Sequence, residues 1–329
     1  MIANTRKALS TIFVCAVAAI ASVAAGQPAG YPAKPITYVV PYPAGGAADV
    51  FARELAVELG RRVGQTVIID NRAGANGNVG SSYVAKTAPA DGYMLLLGSL
   101  SSLAINPHIY SNMGYDPIKD LQPVSLTHQM ANVLVVNPAT PYKTVADVVA
   151  AAKAKPGMLA YASAGNGNTM HIAGETFKMQ TGVDISHVPY KGGPPALNDV
   201  LGGQVPMMFN NLPAIVELVN AGKLRALAVA DTKRARQLPN VPTMEEAGLK
   251  GYTSIVWNGV LVRAGTPPEI VQYLSKQVAA ALSSPQLKKT MEDQGYELLS
   301  STPEKFSALL ESEYNAMLPV VRKAGAKVD

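Results

Sequence analysis

The sequence predicts an α/β protein of two lobes, each built on a central, mostly parallel sheet flanked by helices, with a ligand cleft between them. Three observations carry this expectation. Short β-rich runs alternate with helical stretches from Ile36 to Arg263, the pattern of parallel strands joined by crossover helices. Glycine-rich segments recur where a strand-like run passes into a helical one, the place where open α/β sheets bind ligands. The chain of 329 residues has no low-complexity linker, so two lobes of ordinary size are joined by segments that cross between them more than once, a hinge arrangement.

The chain opens with Arg6 and Lys7, an apolar run from Thr11 to Val23, and then Ala24, Ala25 and Gly26. A positive start, an apolar stretch too short to span a bilayer with ease and a small-residue exit read as a cleaved secretory signal over residues 1–26. The cut is expected between Ala24 and Gly26. A retained anchor would want a longer, less Ala-rich run, and a lipoprotein would want small residues ahead of its cysteine, whereas Cys15 follows Val14. Cys15 is the only cysteine and leaves with the signal, so a hydrophobic core rather than disulfides must hold the mature chain. The formal charge of +5 falls to +3 once Arg6 and Lys7 are gone, and the longest basic cluster is Lys233–Arg236. Nucleic-acid binding needs a basic face with stacking aromatics, and none is visible. No later segment approaches the ~20 apolar residues of a membrane helix, so the mature chain is expected to stay out of the bilayer.

In chain order, Ile36–Val40 reads as a strand. Asp49–Val63 reads as a helix, with Val50, Phe51, Leu55, Leu59 and Val63 on one face and Gly64 to stop it. Gln65–Ile69 is strand-like, Val79–Lys86 a short helix, and Tyr93–Leu97 and Val133–Val136 are strands. Thr144 opens a helix with Asp147 three residues on, a partial capping box because Asp stands in for Glu or Gln. Leu159–Ser163, Ile185–Val188, Val205–Phe209 and Leu224–Ala230 follow as strands separated by helices. After Trp257–Arg263 come Pro267–Leu282, Pro285–Gln294 and Pro303–Lys323, three helices each introduced by proline, which suits a first turn. The lobe crossings are placed near His128–Asn132 and Gly251–Ile255. One lobe then holds residues 27–128 with 256–329, and the other holds 129–255.

Three glycine-rich segments follow a predicted strand and precede a helix: Pro41–Asp49 (PYPAGGAAD), Gly98–Ser102 (GSLSS) and Ser163–His171 (SAGNGNTMH). Glycine lets a ligand approach the backbone, and unpaired N–H groups at a helix start attract an anion, so a carboxylate can be held without arginine or lysine. Any one such loop could be an ordinary tight turn; three in one chain favour a ligand site. A fourth segment, His187–Pro195, adds a phenol, Tyr190, and an ammonium, Lys191, which either meets a carboxylate or stays a solvated loop lysine. Trp257, the only tryptophan, either walls the cleft at a predicted crossing or packs in the core. His171 sits on the first turn of the helix after the third loop, as a ligand contact or, more ordinarily, a structural histidine.

Catalytic motifs are absent: there is no Gly-x-Ser-x-Gly elbow, P-loop or His-Glu-x-x-His. Gly165–Met170 begins as Gly-x-Gly but carries Met170 where a dinucleotide loop needs its third glycine. His108, His128, His171 and His187 are scattered without metal-ligand spacing. The expectation is a binder rather than an enzyme, with no cofactor and no metal.

The same residues resemble, along nearly the whole mature chain, the Bug family of periplasmic receptors for tripartite tricarboxylate transporters. The resemblance rests on Pro41–Arg53, Asp70–Gly80, Tyr161–His171 and His187–Phe209, with Gly222–Val229, Leu238–Gly248 and Trp257–Thr266 in the same order and spacing. It implies a type II periplasmic-binding fold, like a Venus flytrap, in a monomer that captures a small carboxylate in the periplasm and delivers it to membrane permease subunits. It also implies that the first and third loops grip one carboxylate through backbone N–H groups and bridging waters. Tyr42, Pro43, Ala44, Gly45, Gly46, Ala48 and Asp49 come from the first loop; Ser163, Ala164, Gly165, Asn166 and Thr169 come from the third. Asp49 fits a first-turn role that stabilises its helix better than direct contact. The far side of the pocket is expected from Ser99, Leu100, Tyr190, Asn210 and Trp257. Asn210 stands where the family commonly carries Asp, which favours a non-amino carboxylate, and Tyr42 and Ala44 stand where Phe and Pro are frequent. The sequence is also open to two other readings: a sensor presenting the ligand to a membrane kinase, and a secreted enzyme acting on a small acid.

Overall fold

The computed structural model describes residues 28–323 and 325, and the expected secretory signal over 1–26 lies outside them. The first lobe begins with β1 (Ile36–Val40), α1 (Ala47–Val63), β2 (Val67–Asn71), a helical turn at Ala75–Gly77, α2 (Asn78–Ser82) and β3 (Met94–Ser99). β4 (Leu121–Val136) carries the chain into the second lobe, made of α3 (Val145–Ala154), β5 (Ala160–Ser163), α4 (Thr169–Thr181), β6 (Ser186–Pro189), α5 (Gly193–Leu201), β7 (Met207–Asn211), α6 (Leu212–Asn220) and β8 (Arg225–Val229). β9 (Ile255–Arg263) returns to the first lobe, which α7 (Pro268–Leu282), α8 (Pro285–Gln294), the short β10 (Glu297–Leu298) and α9 (Pro303–Lys323) complete.

Local chemistry accounts for these bounds. In α1 the residues Phe51, Ala52, Leu55, Ala56, Leu59 and Val63 are buried, the i, i+3/i+4 stripe of a helix packed on a sheet. Gly64 ends it with a φ of 70°, a conformation that glycine adopts without a Cβ penalty. Thr144 and Asp147 do form a reciprocal capping box at the start of α3, so the shorter acid is long enough to reach back. In β1 the side chains of Tyr38 and Val40 enter one core and that of Val39 the other, as a period of two requires.

The strands form one continuous sheet in the order β2-β1-β3-β9-β4-β7-β5-β6, with β8 and β10 also on β4. The outer strands of each lobe are parallel: β2, β1 and β3 in the first, and β6, β5 and β7 in the second. Where parallel pairing was expected to dominate, the sheet is mixed. β4 and β9 pass between the lobes as single extended strands without a crossover helix, so they pair antiparallel. β4 faces β9 from Leu121 to Ala131, and then β7 from Asn132 to Val136. At that junction Asn132 N–H donates to Ser254 O at 2.9 Å, and Asn132 Nδ2 donates to Ser254 Oγ at 2.9 Å. The side chain of one asparagine thus ties together the two segments that run between the lobes. Apolar packing is divided accordingly. One core runs from Ala131 to Tyr252 in the second lobe, and two cover opposite faces of the first-lobe sheet.

Candidate ligand-binding cleft

A cavity of about 920 Å³ lies between the lobes, walled by Tyr42, Pro43, residues 45–48, residues 73–77, Ser99 and Ser101 on one side and by residues 164–166, 168–170, 189–194, Asn210 and Asn211 on the other. It is large enough for a small organic molecule. The strand-to-helix connections set its shape. The starts of α1, α4 and α5 all reach the wall. Gly46 and Gly192, the residues that precede α1 and α5, have no side chain to cap the first turn. The first turn of α1 therefore leaves its backbone N–H groups, at the positive end of the dipole, available to an anion, whereas Pro194 and Pro195 leave α5 with the N–H of Gly193.

The first loop is fixed by the buried carboxylate of Asp49, which accepts from Gly45 N–H at 2.9 Å, Arg53 Nε at 2.9 Å and Asn71 Nδ2 at 2.8 Å. Burial pushes this carboxyl up, but the hydrogen bonds from Arg53, Gly45 and Asn71 outweigh it and hold the group below its ordinary range. The Asn71 amide also donates to Tyr42 O at 3.2 Å. Tyr42 shares a 2.5 Å hydrogen bond with Ser99 Oγ, joining the first two glycine-rich segments across the cavity floor. Burial raises the phenol of Tyr42, so it stays protonated.

The third loop bends at Gly165 (φ 129°) and Gly167 (φ 73°). Asn168 accepts from Met170 N–H at 3.0 Å and so caps α4. Its Nδ2 donates to Asn76 Oδ1 at 3.3 Å on the opposite rim. A Cβ on Gly192 would stand 2.6 Å from Pro43 Cγ, also on the opposite rim. The two rims are therefore in contact. Among the described residues of the wall there is no Asp or Glu, Lys191 is the only Lys or Arg, and seven side chains are asparagine amides. Such a wall offers donors and no fixed negative charge, which suits an anion and disfavours an ammonium.

A sequence model of the family described as the tripartite tricarboxylate transporter family receptor matches residues 51–326. The chain belongs to that family. The receptor is 38% identical over 318 residues to Protein BugT of Bordetella pertussis, which covers 96% of each chain. Among solved structures it superimposes on Rpa4515 of R. palustris, determined with adipate, with a TM-score of 0.87 and 39% identity over 91% of this chain and 100% of that one. The periplasmic binding protein BugD gives 0.86 and 33% over 90% and 99%. MatC of Rhodopseudomonas palustris, with bound malate, gives 0.84 and 30% over 88% and 100%. The two-lobed periplasmic binding-protein fold expected from the sequence is thus the fold of its relatives.

Of the candidate residues, the receptor brings Tyr42, Pro43, Gly45, Gly46, Ala48, Ser99, Ala164, Gly165, Asn166, Thr169, Tyr190, Lys191 and Asn210 to the cavity wall. Ala44, Asp49, Leu100, Ser163, His171 and Trp257 lie off it. Ala44 points to solvent, and Leu100 is buried in an apolar core beside Trp257. Trp257 packs edge-on against Phe306 at 5.7 Å, so the tryptophan at the lobe crossing serves the first-lobe core. Ser163 and His171 stand behind the third loop. Tyr190 is on the wall, but its hydroxyl donates to Asp199 at 2.6 Å, and that bond raises it to about 12. The wall also includes residues not expected there. The 73–77 loop contributes Asn76, with a φ of 52°; its Asn and Gly content marked a turn, but nothing in it signalled a ligand wall. Asn211 and Asn258 arrive from strands, where a polar residue inside an apolar run was the only available sign.

Proposed function

We propose that the receptor captures a small organic carboxylate in the periplasm and delivers it to the membrane permease of a tripartite tricarboxylate-type transporter. One observation carries the reading: three helix starts open on a cavity whose described wall holds no carboxylate and a single ammonium. Relatives determined with adipate and with malate at 39% and 30% identity support a dicarboxylate; a tricarboxylate or an aromatic acid stays within the proposed class. Asn210 refines it. Its Oδ1 accepts from Asn211 N–H at 2.8 Å, and its Nδ2 has only the Met208 sulfur at 3.6 Å, so it offers a donor where an amino acid's ammonium would want an acceptor. The ligand is therefore a non-amino carboxylate, and calorimetry in which aspartate bound tighter than succinate would reverse this assignment.

The enzyme reading lacks a reactive pair at the cavity. Ser163 and His187 approach to 2.6 Å, but Ser163 is fully buried behind the loop. Delivery to a sensor kinase would use the same closed exterior, and uptake of the ligand abolished by deleting a neighbouring permease gene separates the two. The lobes that serve this reading are residues 27–128 with 256–329, and 129–255, acting as a monomer exported by its N-terminal signal. A thermal-shift screen of refolded, ligand-free mature protein against organic acids tests it. A ligand at a hundred times its Kd adds about 2.7 kcal/mol, so a selective rise with one carboxylate supports the assignment. Indifference to every acid tried would remove it.

A further inference from the structure

The third loop is braced from behind by two stacked histidines. Their rings lie 4.0 Å apart and 19° from parallel, and neither lines the cavity. Gly167 N–H donates to His171 Nδ1 at 3.1 Å. A backbone N–H cannot accept, so this bond requires Nδ1 to be bare and the ring proton to sit on Nε2. His187 meets Ser163 Oγ at 2.6 Å, and the same oxygen accepts from Gly165 N–H at 3.1 Å. Both glycines of the loop are thus tied to this pair, one directly and one through Ser163.

Gly167 occupies a sensitive place. It lies between Asn166 and Asn168 on the cavity wall, and Asn168 bonds the opposite rim through Asn76. A Cβ at Gly167 would collide with Ile109 of the first lobe. One amide therefore links the ring of His171 to both the ligand wall and the contact between the rims. We propose that neutral His171 is a positioning residue for ligand capture, and that its protonation releases the third loop and loosens the grip as the medium turns acid. The binding part of this inference rests on the carboxylate reading of the cleft; the bracing part does not.

The neighbours of the ring set the direction. Protonating Nδ1 places N–H against N–H at Gly167 and removes the bond. Burial opposes the charge, the Glu175 carboxylate with its Oε1 3.9 Å from Nε2 favours it, and the Lys178 ammonium opposes it. Tyr161 donates to Glu175 at 2.7 Å and Lys178 Nζ pairs with it at 3.1 Å, which weakens that support. His187, held neutral by burial down to about pH 3, stacks on the other side. Protonation of His171 therefore sets in below the ordinary histidine range.

The test compares the parent with His171→Asn, whose Oδ1 can take the place of Nδ1 but does not titrate, and with His171→Ala. Nitrogen NMR of the parent at about pH 7.5 should show a bare Nδ1 on His171. The exchange protection factor of the Gly167 amide should fall at least about tenfold between pH 7.5 and 4.5 in the parent relative to H171N. In calorimetry with adipate as the probe, H171A should bind about tenfold more weakly than the parent at pH 7.5, and H171N should recover most of that loss. The ratio of parent to H171N Kd should rise toward acid pH, with adipate's own titration cancelling. A protonated Nδ1 at pH 7.5, or the same pH course of Gly167 protection in parent and H171N, overturns the brace. Should H171A fail to fold, H171N alone decides. If adipate binds no form at any pH, adipate falls as a ligand and with it the binding part of the inference, while the NMR and exchange results still judge the brace.

Discussion

Replacing Gly192 by Ala probes rim contact as a condition for binding. The new Cβ would meet Pro43 Cγ at 2.6 Å, Cδ at 3.1 Å and Cβ at 3.6 Å. Carbon atoms in contact prefer about 3.5–4.0 Å, so the ring must retreat by roughly 1 Å. Overpacking of that size costs about 1–3 kcal/mol, and it acts only where the rims touch. Ligand affinity should fall roughly 5- to 150-fold. A second cost has a different signature. Gly192 has a φ of 114° and a ψ of 171°, a region nearly exclusive to glycine, so alanine there adds about 1–3 kcal/mol of strain whether the cleft is open or shut. That lowers the melting temperature but not the affinity. Gly64→Ala, at φ 70° with nothing within 4 Å, carries the strain without the collision and serves as the control. Calorimetry with a bound carboxylate should show weak binding in G192A, parental binding in G64A, and recovery when Pro43→Ala is added to G192A, judged against P43A alone. Parental affinity in G192A, or no recovery on trimming Pro43, would refute rim contact as the reason.

Asp49→Ala removes the acceptor shared by Gly45, Arg53 and Asn71; thermal unfolding should show a loss of about 1–3 kcal/mol, with weaker ligand binding. Because the Asp49 carboxyl titrates below its ordinary range in the folded protein, its contribution is complete above the unfolded value near about pH 3.9 and is lost as the pH falls through the lower folded value. The gap between parent and D49A should therefore close only in strong acid, and a gap independent of pH would contradict the assigned bonds. Asn210→Asp places a negative charge on the wall, and calorimetry should register at least about tenfold weaker dicarboxylate binding; unchanged affinity would remove Asn210 from the site. At Gly174 a Cβ would collide with the ring of Tyr161, so Gly174→Ala should cost about 1–3 kcal/mol in denaturant unfolding.

Much of the fold was legible because local and global signals agree. The α1 stripe, the glycine stop at Gly64 and the proline starts of α7, α8 and α9 are set by backbone sterics and burial that the sequence states directly. β4 was legible only over Val133–Val136. Its first part runs through Ser125, Thr127 and His128, which are fully buried yet read as polar breaks. They are satisfied by distant partners: Ser125 Oγ lies 3.1 Å from Ser301 O, Thr127 donates to Asn258 O at 3.0 Å, and His128 meets Asn258 Nδ2 at 3.0 Å. No local pattern encodes those bonds. The glycine loops of the cleft were visible because their backbone conformations admit few other residues. Trp257, near a predicted crossing, and Leu100, in the second glycine-rich segment, were candidates for the wall, but both are buried in the apolar core that holds Phe306 and Leu103. The distinction between lining a cavity and bracing it, as with Ser163 and His171, depends on tertiary hydrogen bonds.

If backbone and amide donors around the cleft hold an anion, the charge on the ligand must decide its affinity. Calorimetric titration of ligand-free protein with a dicarboxylate such as adipate, set beside its diamide of nearly equal size, tests it most directly. The acid should bind at one saturable site and the diamide at least about a hundredfold more weakly, since hydrogen bonds to charged groups add about 1.5–3 kcal/mol each. Equal affinity for the two would show that charge is not what the cleft reads.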